Sequence, residues 1–322
     1  MRKCDARRHK RPLGTLDAGA YPKFTRHVKG PITMTYDLFI GDYAYSSWSL
    51  RGWLLFRHLG LKPNVHLVDF SSQDVATQMA DHAPAKTVPA MRAPEGTVVW
   101  DSLAMAEELN DRYPDGGLWP KNPAARGLGR ALAAEMHSSF SALRTECPMN
   151  VRASYVNPLL SDDTLSDIAR IDTLWSHARR LYSNDGPWLL GEYSIADIAF
   201  APVAARFAGY DAKLSEVAQT YVDTHLNDIM FRQWRTMALV SGSTLPWYAK
   251  PFETKPWPGP AVLPAQKAAS GPSVNDTCPF TGGSPHYYLR FGDNTYGFEN
   301  EICRDETVGD PEAWPAFMAI TR

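Results

Sequence analysis

Apolar residues between positions 36 and 113 recur with two different periods. Some segments alternate apolar and polar positions, which is typical of a β-strand with one buried face, and others repeat apolar positions three or four residues apart, which is typical of an amphipathic helix. Glu95 and Gly96 stand between two short apolar segments and indicate a hairpin turn. The pattern predicts strands over 36–42, 64–70, 88–94 and 97–101 and helices over 47–60, 71–82 and 102–113. Strands and helices in this order form a layered α+β unit.

The pattern changes after this first unit. Turn-forming residues fill 114–123, and from there to about residue 239 the apolar positions keep the helical period, with no strand signal of comparable strength. Ser194 and Asp197 stand three residues apart before an apolar segment, as in a variant of the capping box that begins a helix. This part of the chain is therefore predicted to be an all-helical domain, in which the Ser194 segment serves packing rather than catalysis.

The last part of the chain is less regular. Residues 249–275 are rich in Pro, Ala, Gly and Ser, which is typical of a linker or an extended arm. The segment after it has hairpin and helix signals of its own and is interpreted as a small separate module. The predicted organisation is a leader over 1–33, the α+β domain over 34–114, the helical domain over 124–245, a Pro-rich linker over 246–275 and the module over 276–322.

Composition narrows the classes of protein to which this chain can belong. The 322 residues are 44% hydrophobic, enough to bury sizeable cores, but no segment approaches the roughly 18 uninterrupted apolar residues that a membrane span needs. The net charge of -2 combines a basic leader with an acidic remainder, and an acidic body argues against nucleic acid as the main partner. We therefore expect neither a membrane nor a nucleic acid as partner.

The basic leader over residues 1–33 has no apolar core, which argues against a secretory signal. A transit peptide and a nucleic-acid-binding arm are the alternatives that its charge allows. It also lacks any hydrophobic period, and Met34 stands directly before the first strand, so a disordered or wrongly assigned start is the favoured interpretation. Four scattered cysteines without a C-x-x-C spacing indicate neither a dithiol redox motif nor a zinc ribbon, and a reducing cytoplasm is the expected compartment.

Three serines, Ser46, Ser47 and Ser49, stand where the first strand gives way to the first helix. One serine there is an ordinary helix cap. Three serines provide a cap and leave other hydroxyls to point at whatever lies at the helix N-terminus, where the helix dipole favours negative charge. This boundary is therefore the first candidate for a binding or catalytic site.

Three motifs, with a fourth segment at the expected place downstream, follow one another in the order and at the spacing of a known family. They are SSWSLR at 46–51, TVPAM at 87–91, WDSLAMAEEL at 100–109 and SIADIAFAP at 194–202. Over about residues 34–245 the chain resembles the glutathione transferases, and its serine-rich motif is similar to that of the zeta class, which includes maleylacetoacetate isomerases. The resemblance implies a thioredoxin-like first domain, an all-helical second domain and a homodimer.

The resemblance also implies where glutathione would bind. The Val88–Pro89 bond is expected to be cis, so that the Val88 backbone pairs with the peptide backbone of glutathione; a trans proline in an edge turn is the alternative. Asp101 and Ser102 begin a helix whose free N–H groups and dipole suit the γ-glutamyl carboxylate. Asp101 can meet the ammonium group, although it is shorter than the Glu or Gln usual in the family. An ordinary Asp/Ser cap is the alternative here.

Catalysis is expected at the serines, where a hydroxyl would donate a hydrogen bond to the glutathione thiolate. Alignment makes Ser46 the first candidate and Ser47 the second, whereas Ser49 is expected to face its helix neighbours. Arg51 would add positive potential near the substrate or, alternatively, form a surface salt bridge. The chain departs from the zeta pattern at Trp48, which replaces a cysteine and makes the pocket bulkier.

These features predict a cytoplasmic glutathione transferase-like enzyme. It would activate the thiol of glutathione, its co-substrate, for attack on a small electrophile or for isomerisation of one. The alternative is a non-catalytic protein that binds glutathione or another ligand on the same fold. No metal is expected as a cofactor.

The C-terminal stretch carries a second resemblance. CPFTG at 278–282 and the residues up to the DPE at 310–312 resemble the small, metal-associated YHS domain. Cys278 and Cys303 occupy two of its three cysteine positions, and Glu299 occupies the third. A carboxylate weakens a site for the soft or borderline metals that thiolates favour, so these three residues are only weak metal candidates. A degenerate module, in which the two cysteines pack, is the favoured interpretation over zinc bound with the help of His286.

Overall fold

The structure, a computed structural model, describes residues 35–321, so the predicted leader over 1–33 lies outside the described residues. The strands are β1 (Asp37–Ile40), β2 (Asn64–Leu67), β3 (Ala90–Arg92), β4 (Val98–Val99), β5 (Ser154–Tyr155), β6 (Thr254–Lys255), β7 (Ala265–Ala268), β8 (Tyr287–Phe291) and β9 (Asn294–Phe298). The helices are α1 (Ser47–His58), α2 (Val75–Gln78), α3 (Ser102–Arg112), α4 (Pro123–Ser138), α5 (Ser141–Glu146), α6 (Asp162–Tyr182), α7 (Ile195–Gly209), α8 (Glu216–Asn227), α9 (Ile229–Val240), α10 (Glu301–Gly309) and α11 (Pro315–Met318). Single 3-10 turns lie at Ala80–His82, Ser183–Asp185, Pro246–Tyr248 and Pro311–Ala313.

A four-stranded sheet in the order β2-β1-β3-β4 organises the first part of the described chain. Strand β1 runs parallel to β2 and antiparallel to β3, which pairs antiparallel with β4. Successive side chains of β1 point to opposite faces. Leu38 and Ile40 belong to the core that includes α1 and α3, whereas Phe39 packs with Met79 and Val88 on the other face. This arrangement confirms the α+β fold class and the thioredoxin-like domain that the sequence predicted.

Two elements of this domain are shorter than the sequence pattern predicted. The helix expected over 71–82 is reduced to α2 and one 3-10 turn, because Met79 is the only buried residue of this segment and a helix without an apolar face gains little from packing. The strand expected over 97–101 is reduced to β4. It ends early because Asp101 leaves the strand and caps α3.

Helices α4 to α9 form the second part of the fold and confirm the predicted helical domain, to which β5 adds two residues of strand. Helix α7 is buried along its whole length and packs against α1, α4 and α8. The backbone N–H of Ser194 donates to Asp197 Oδ2 at 2.9 Å, as in the predicted capping box, and the Tyr221 hydroxyl donates to Oδ1 at 2.8 Å. Burial raises the pKa of Asp197 to about 6, and hydrogen bonds from Ser194 and Tyr221 hold its carboxylate at the start of α7.

The C-terminal residues form a second sheet, β7-β8-β9, which packs with α10 and α11 around a small core of its own. This part contacts α9 through Arg232, whose Nε and Nη2 donate to the two carboxylate oxygens of Asp310 at 2.8 and 2.6 Å. The segment predicted as a linker over 246–275 is more ordered than expected, because it contributes β6 to a pair with β5 and β7 to the C-terminal sheet. The domain boundaries therefore stay a prediction.

None of the helices within residues 35–321 combines the length and the apolar character that a transmembrane segment needs.

Candidate functional site

The N-terminus of α1 follows a tight loop after β1. Ser46 is the N-cap of α1, and its Oγ accepts the backbone N–H of Ser49 at 3.4 Å. The Ser46 hydroxyl donates to Ser49 Oγ at 2.7 Å, and Ser49 Oγ also accepts the N–H of Gly41 at 2.9 Å. Ser49 is fully buried and faces its helix neighbours, as the sequence predicted. An added Cβ at position 41 would lie 2.1 Å from the ring of Phe70, so a side chain there would displace that ring.

A cavity of about 480 Å³ lies between this helix N-terminus, the start of α3 and the helical domain. Six of the residues predicted as site residues line it: Ser46, Ser47, Val88, Pro89, Asp101 and Ser102. The remaining lining residues are Tyr45, Trp48, Phe70, Val75, Thr87, Arg144, Pro148, Met149, Arg206 and Tyr248. The fold therefore brings together motifs that are more than fifty positions apart in the sequence.

Ser47 contacts a buried arginine that belongs to α7. Nη2 of Arg206 donates to Ser47 Oγ at 3.3 Å, while its Nε donates to the carbonyl of Cys147 at 2.8 Å and its Nη1 to that of Pro202 at 3.2 Å. The ion pairs found among residues 35–321 do not include Arg206. Burial lowers the pKa of Arg206 to about 10, so the guanidinium still carries its charge at neutral pH.

A second arginine, Arg144, adds positive charge to the same wall. Its guanidinium lies 4.8 Å from the centre of the Trp48 ring and donates to the carbonyls of Ser139, at 2.9 Å, and of Met136. Burial lowers the pKa of Arg144, and the Asp167 carboxylate partly opposes this. The N-terminus of α1 therefore faces two cationic side chains, which favours an anion at this end of the cavity.

The Val88–Pro89 peptide bond is cis, which confirms the expectation from the sequence. Pro89 lies against α1 at the position of Gly52, where an added Cβ would lie 2.7 Å from the Cβ of Pro89. Helix α1 can approach the proline this closely only because residue 52 has no side chain. The close packing fixes Val88 and Pro89 relative to the N-terminus of α1.

Asp101 is the N-cap of α3, and its Oδ1 accepts the backbone N–H groups of Leu103 at 2.9 Å and Ala104 at 3.3 Å. Its Oδ2 lies 2.9 Å from Nε2 of His137 on α4. The Asp/Ser cap considered as an alternative is thus present, but the carboxylate also contacts the helical domain. Ser102, at the first position of α3, is buried and lines the cavity.

Arg51 does not line this cavity. It is only 3% exposed, and the ion pairs found among residues 35–321 do not include it, which contradicts the surface salt bridge considered from the sequence. Its guanidinium lies 4.4 Å from the centre of the Trp48 ring, and its Nε and Nη2 have no hydrogen-bond partner. Burial lowers the pKa of Arg51, and the charges of Arg144 and Arg206 lower it further. Its influence on a ligand would therefore act through Trp48 and through its charge.

Sequence reasoning missed Arg144, Arg206 and His137 as parts of the site. Only Arg206 gave a signal, because it stands in an otherwise apolar helix in which a buried cation is unexpected. Arg144 and His137 belong to segments with mixed composition, and only the tertiary structure shows that they reach the cavity.

A larger cavity, of about 800 Å³, lies along α6 and the loop after α7. None of the residues predicted from the motifs lines it. Asp211 in its wall is paired with Lys213 and Lys255 at 3.1 and 2.6 Å, so this carboxylate is already neutralised. We take the smaller cavity as the candidate site because two helix N-termini and unpaired cations converge there.

The C-terminal thiols do not form a metal centre with their neighbours. Across residues 35–321, no group of three or more His, Cys, Asp or Glu side chains is placed to hold a metal ion. Cys278 is buried and Glu299 is exposed. Burial opposes ionisation of the Cys278 thiol, but hydrogen bonds from the Thr281 side chain and the Glu299 backbone outweigh burial, so the pKa of Cys278 is lowered. Burial and the nearby Cys278 raise the pKa of Cys303 to about 11. The likeness to the YHS domain stays a prediction.

Comparison with known proteins places these observations in a family. A model of the glutathione S-transferase N-terminal domain matches residues 45–112. The probable maleylacetoacetate isomerase of Caenorhabditis elegans is 30% identical over 174 residues, which cover 52% of this chain and 77% of that protein. Protein IN2-1 of Zea mays is 26% identical over 173 residues, which cover 53% of this chain and 65% of that protein. The chain thus spans less than two thirds of the length of the maize relative.

A solved structure shares the fold. A glutathione transferase homolog from Burkholderia, determined with bound glutathione, superposes with a TM-score of 0.50 at 20% identity. The superposition covers 64% of this chain and 100% of that one. At this level of identity the likeness shows a common fold and nothing further about the ligand of this chain.

Proposed function

The chain belongs to the glutathione S-transferase family, and on that premise we propose that it is a glutathione-dependent transferase or isomerase. The observation that carries the proposal is the convergence of six motif residues and two helix N-termini on one cavity of about 480 Å³. Membership of this family supports glutathione as the ligand.

Glutathione would lie between the cis proline and the start of α3. Its peptide backbone would pair with the backbone of Val88, in the manner of an added strand. Its γ-glutamyl carboxylate would accept the Ser102 hydroxyl at the N-terminus of α3, where the helix dipole favours an anion. Its ammonium group would meet the Asp101 carboxylate, which it would share with His137.

The thiol would lie at the N-terminus of α1, where a hydroxyl stabilises the thiolate. The Ser46 hydroxyl donates to Ser49 Oγ, whereas Ser47 Oγ accepts a hydrogen bond from Arg206 and keeps its own proton for a ligand. These contacts favour Ser47 as the donor and Ser46 as the second candidate, which is the reverse of the order that alignment suggested. A free thiol ionises near pKa 8.5, and a helix N-terminus and nearby cations lower that value.

The electrophile would occupy the rest of the cavity. Phe70, Val75, Pro148, Met149 and Tyr248 line that region and suit an apolar body. Arg144 in the same wall suits an acidic group on the electrophile. The reaction would be addition or substitution by the thiolate, or isomerisation through a reversible thiolate adduct.

The rival is a non-catalytic protein that binds glutathione or another ligand on the same fold. Isothermal titration calorimetry gives the glutathione affinity, and turnover of generic electrophiles gives the activity. Binding with turnover supports the enzyme, binding without turnover supports the rival, and absence of binding contradicts both glutathione proposals.

A cytoplasmic homodimer remains part of the proposal on family likeness alone, and a monomer mass from light scattering at micromolar concentration would remove the dimer.

Ser102→Ala tests the placement of the ligand. Loss of the hydroxyl should weaken glutathione binding by about 1–3 kcal/mol, the usual cost of leaving a polar or charged partner without its hydrogen bond. Ser166→Ala, the same chemical change at an exposed position of α6, is the matched control and should leave the affinity unchanged. Equal affinities of the two variants would contradict the assignment of Ser102.

A further inference from the structure

We propose that Arg206 is a positioning residue for the glutathione thiol. Its guanidinium donates to a lone pair of Ser47 Oγ, so that the Ser47 hydroxyl directs its proton to the sulfur. The same guanidinium places a positive charge directly behind the Ser47 hydroxyl. The proposal rests on the proposed function, because it concerns the same cavity. It goes beyond that function in giving a residue of the helical domain a part in thiol activation.

The contacts of Arg206 fix its side chain from three directions. Two nitrogens donate to the carbonyls of Cys147 and Pro202, at 2.8 and 3.2 Å, and the third donates to Ser47 Oγ at 3.3 Å. Arg206 is only 5% exposed, so protein atoms and not water surround its guanidinium. A planar guanidinium with three partners has little freedom to rotate. The carbonyls of Cys147 and Pro202 therefore hold the guanidinium against Ser47 Oγ.

The direction of the Ser47 hydroxyl follows from this contact. A serine hydroxyl has one proton and two acceptor lone pairs, and an arginine N–H can only donate. Arg206 consequently uses a lone pair and leaves the proton free, and Ser47 lines the cavity in which an acceptor would arrive. Ser46 differs, because its own proton is already donated to Ser49 Oγ.

A buried charge at Arg206 without a counter-ion does not stabilise the folded protein. Transfer of a cation into a protein interior is costly unless a counter-ion accompanies it. The charge of another cation, Arg144, lowers the pKa of Arg206 further. A thiolate beside Ser47 supplies the missing negative charge, and in return the guanidinium favours ionisation of the thiol.

The test places a thiol at Ser47, so that it needs no bound glutathione. In Ser47→Cys, the rate of alkylation by iodoacetamide is followed against pH, with the modified peptide identified by mass spectrometry. The apparent pKa should lie below the ordinary value of about 8.5. Adding Arg206→Gln should raise it by about one unit or more, because an opposite charge within contact distance shifts a pKa by that amount. Cys303 of the same molecules, in the C-terminal module, serves as an internal reference whose rate should not change.

Arg206→Lys covers the case in which Arg206→Gln does not fold. Lysine keeps the charge but cannot keep all three contacts, so the thiol pKa should rise by about half a unit or more. An unchanged pKa of the Ser47→Cys thiol in the folded Arg206 variants overturns the proposal.

A second arm uses glutathione and the native Ser47. In the Arg206→Lys variant, calorimetry should give nearly the wild-type affinity, while the pH titration of the bound thiolate, followed by its ultraviolet absorbance, should shift upward. Absence of glutathione binding to the wild-type protein would refute the proposed function and leave the Ser47→Cys result to decide on Arg206. Normal binding with an unshifted titration would refute the role of Arg206 alone.

Discussion

Replacement of Gly52 by alanine tests how closely α1 must approach the cis proline of the site. In an ordinary helix interior this change stabilises a protein by up to about 1 kcal/mol, because alanine is the better helix former. At position 52 the added Cβ would lie 2.7 Å from Pro89 Cβ, 3.0 Å from Pro89 Cγ and 3.4 Å from Met105 Cε. The proline ring cannot rotate away, so α1 and the Val88–Pro89 segment must separate.

Overpacking of a core by one methyl group costs about 1–3 kcal/mol. The helix-propensity gain offsets part of this cost, so we expect Gly52→Ala to lower the free energy of unfolding by about 1 kcal/mol. Gly127→Ala is the matched control, because Gly127 lies in α4 and an added Cβ there meets nothing within 4 Å. That variant should gain stability by the propensity term alone.

The assay is urea unfolding of both variants and the wild type, followed by tryptophan fluorescence, with glutathione affinity measured in parallel by calorimetry. Gly52→Ala should unfold at lower urea and bind glutathione more weakly, because Val88 moves with Pro89. Gly127→Ala should unfold at slightly higher urea and bind normally. Equal stabilisation by the two changes would refute the close contact between α1 and Pro89.

Three further predictions concern other parts of the fold. Burial raises the pKa of Glu306 to about 7, above its unfolded value of about 4.3, so the folded protein loses stability as pH rises between these two values. Glu306→Gln removes this ionisation and should stabilise the protein at pH 8 and much less at pH 4.5. Denaturant unfolding at both pH values measures the difference. Arg232→Met leaves the Asp310 carboxylate buried without its partner and should destabilise the protein by about 3–5 kcal/mol in thermal unfolding. Lys213→Met is the control at a surface pair whose lysine is 77% exposed, and it should cost less than about 1 kcal/mol. Protein purified without chelator should hold no stoichiometric zinc, and zinc that is present and then lost in Cys303→Ser would contradict this.

Short-range signals explain which parts of the site could be predicted from the sequence. Ser46 and Asp101 are recognisable as helix caps because capping depends on residues within one turn. The Val88–Pro89 bond was predictable from its motif. These features belong to single segments, and the strand and helix periods around them fixed the order of the elements.

The remaining parts depend on contacts between distant segments. Arg206 lies 159 positions from Ser47, and nothing in the local pattern of α7 indicates which residue its guanidinium would meet. Arg51 is the last residue of the serine-rich motif, yet it packs against the Trp48 ring and does not line the cavity. The segment over 246–275 has a linker composition, and its short strands form only because β5 and β8 offer free edges.

The most direct test of the central claim is the ionisation of glutathione in the complex. The thiolate absorbance of bound glutathione is titrated against pH in the wild-type protein, in Ser47→Ala and in Ser46→Ala, with calorimetry to establish that each variant is saturated. The account predicts a wild-type pKa clearly below the value of about 8.5 for a free thiol, a rise toward that value in Ser47→Ala and a smaller change in Ser46→Ala. A bound thiol that titrates like free glutathione in the wild-type protein would contradict thiol activation at this site, and a larger shift in Ser46→Ala would return Ser46 to the first place that alignment gave it.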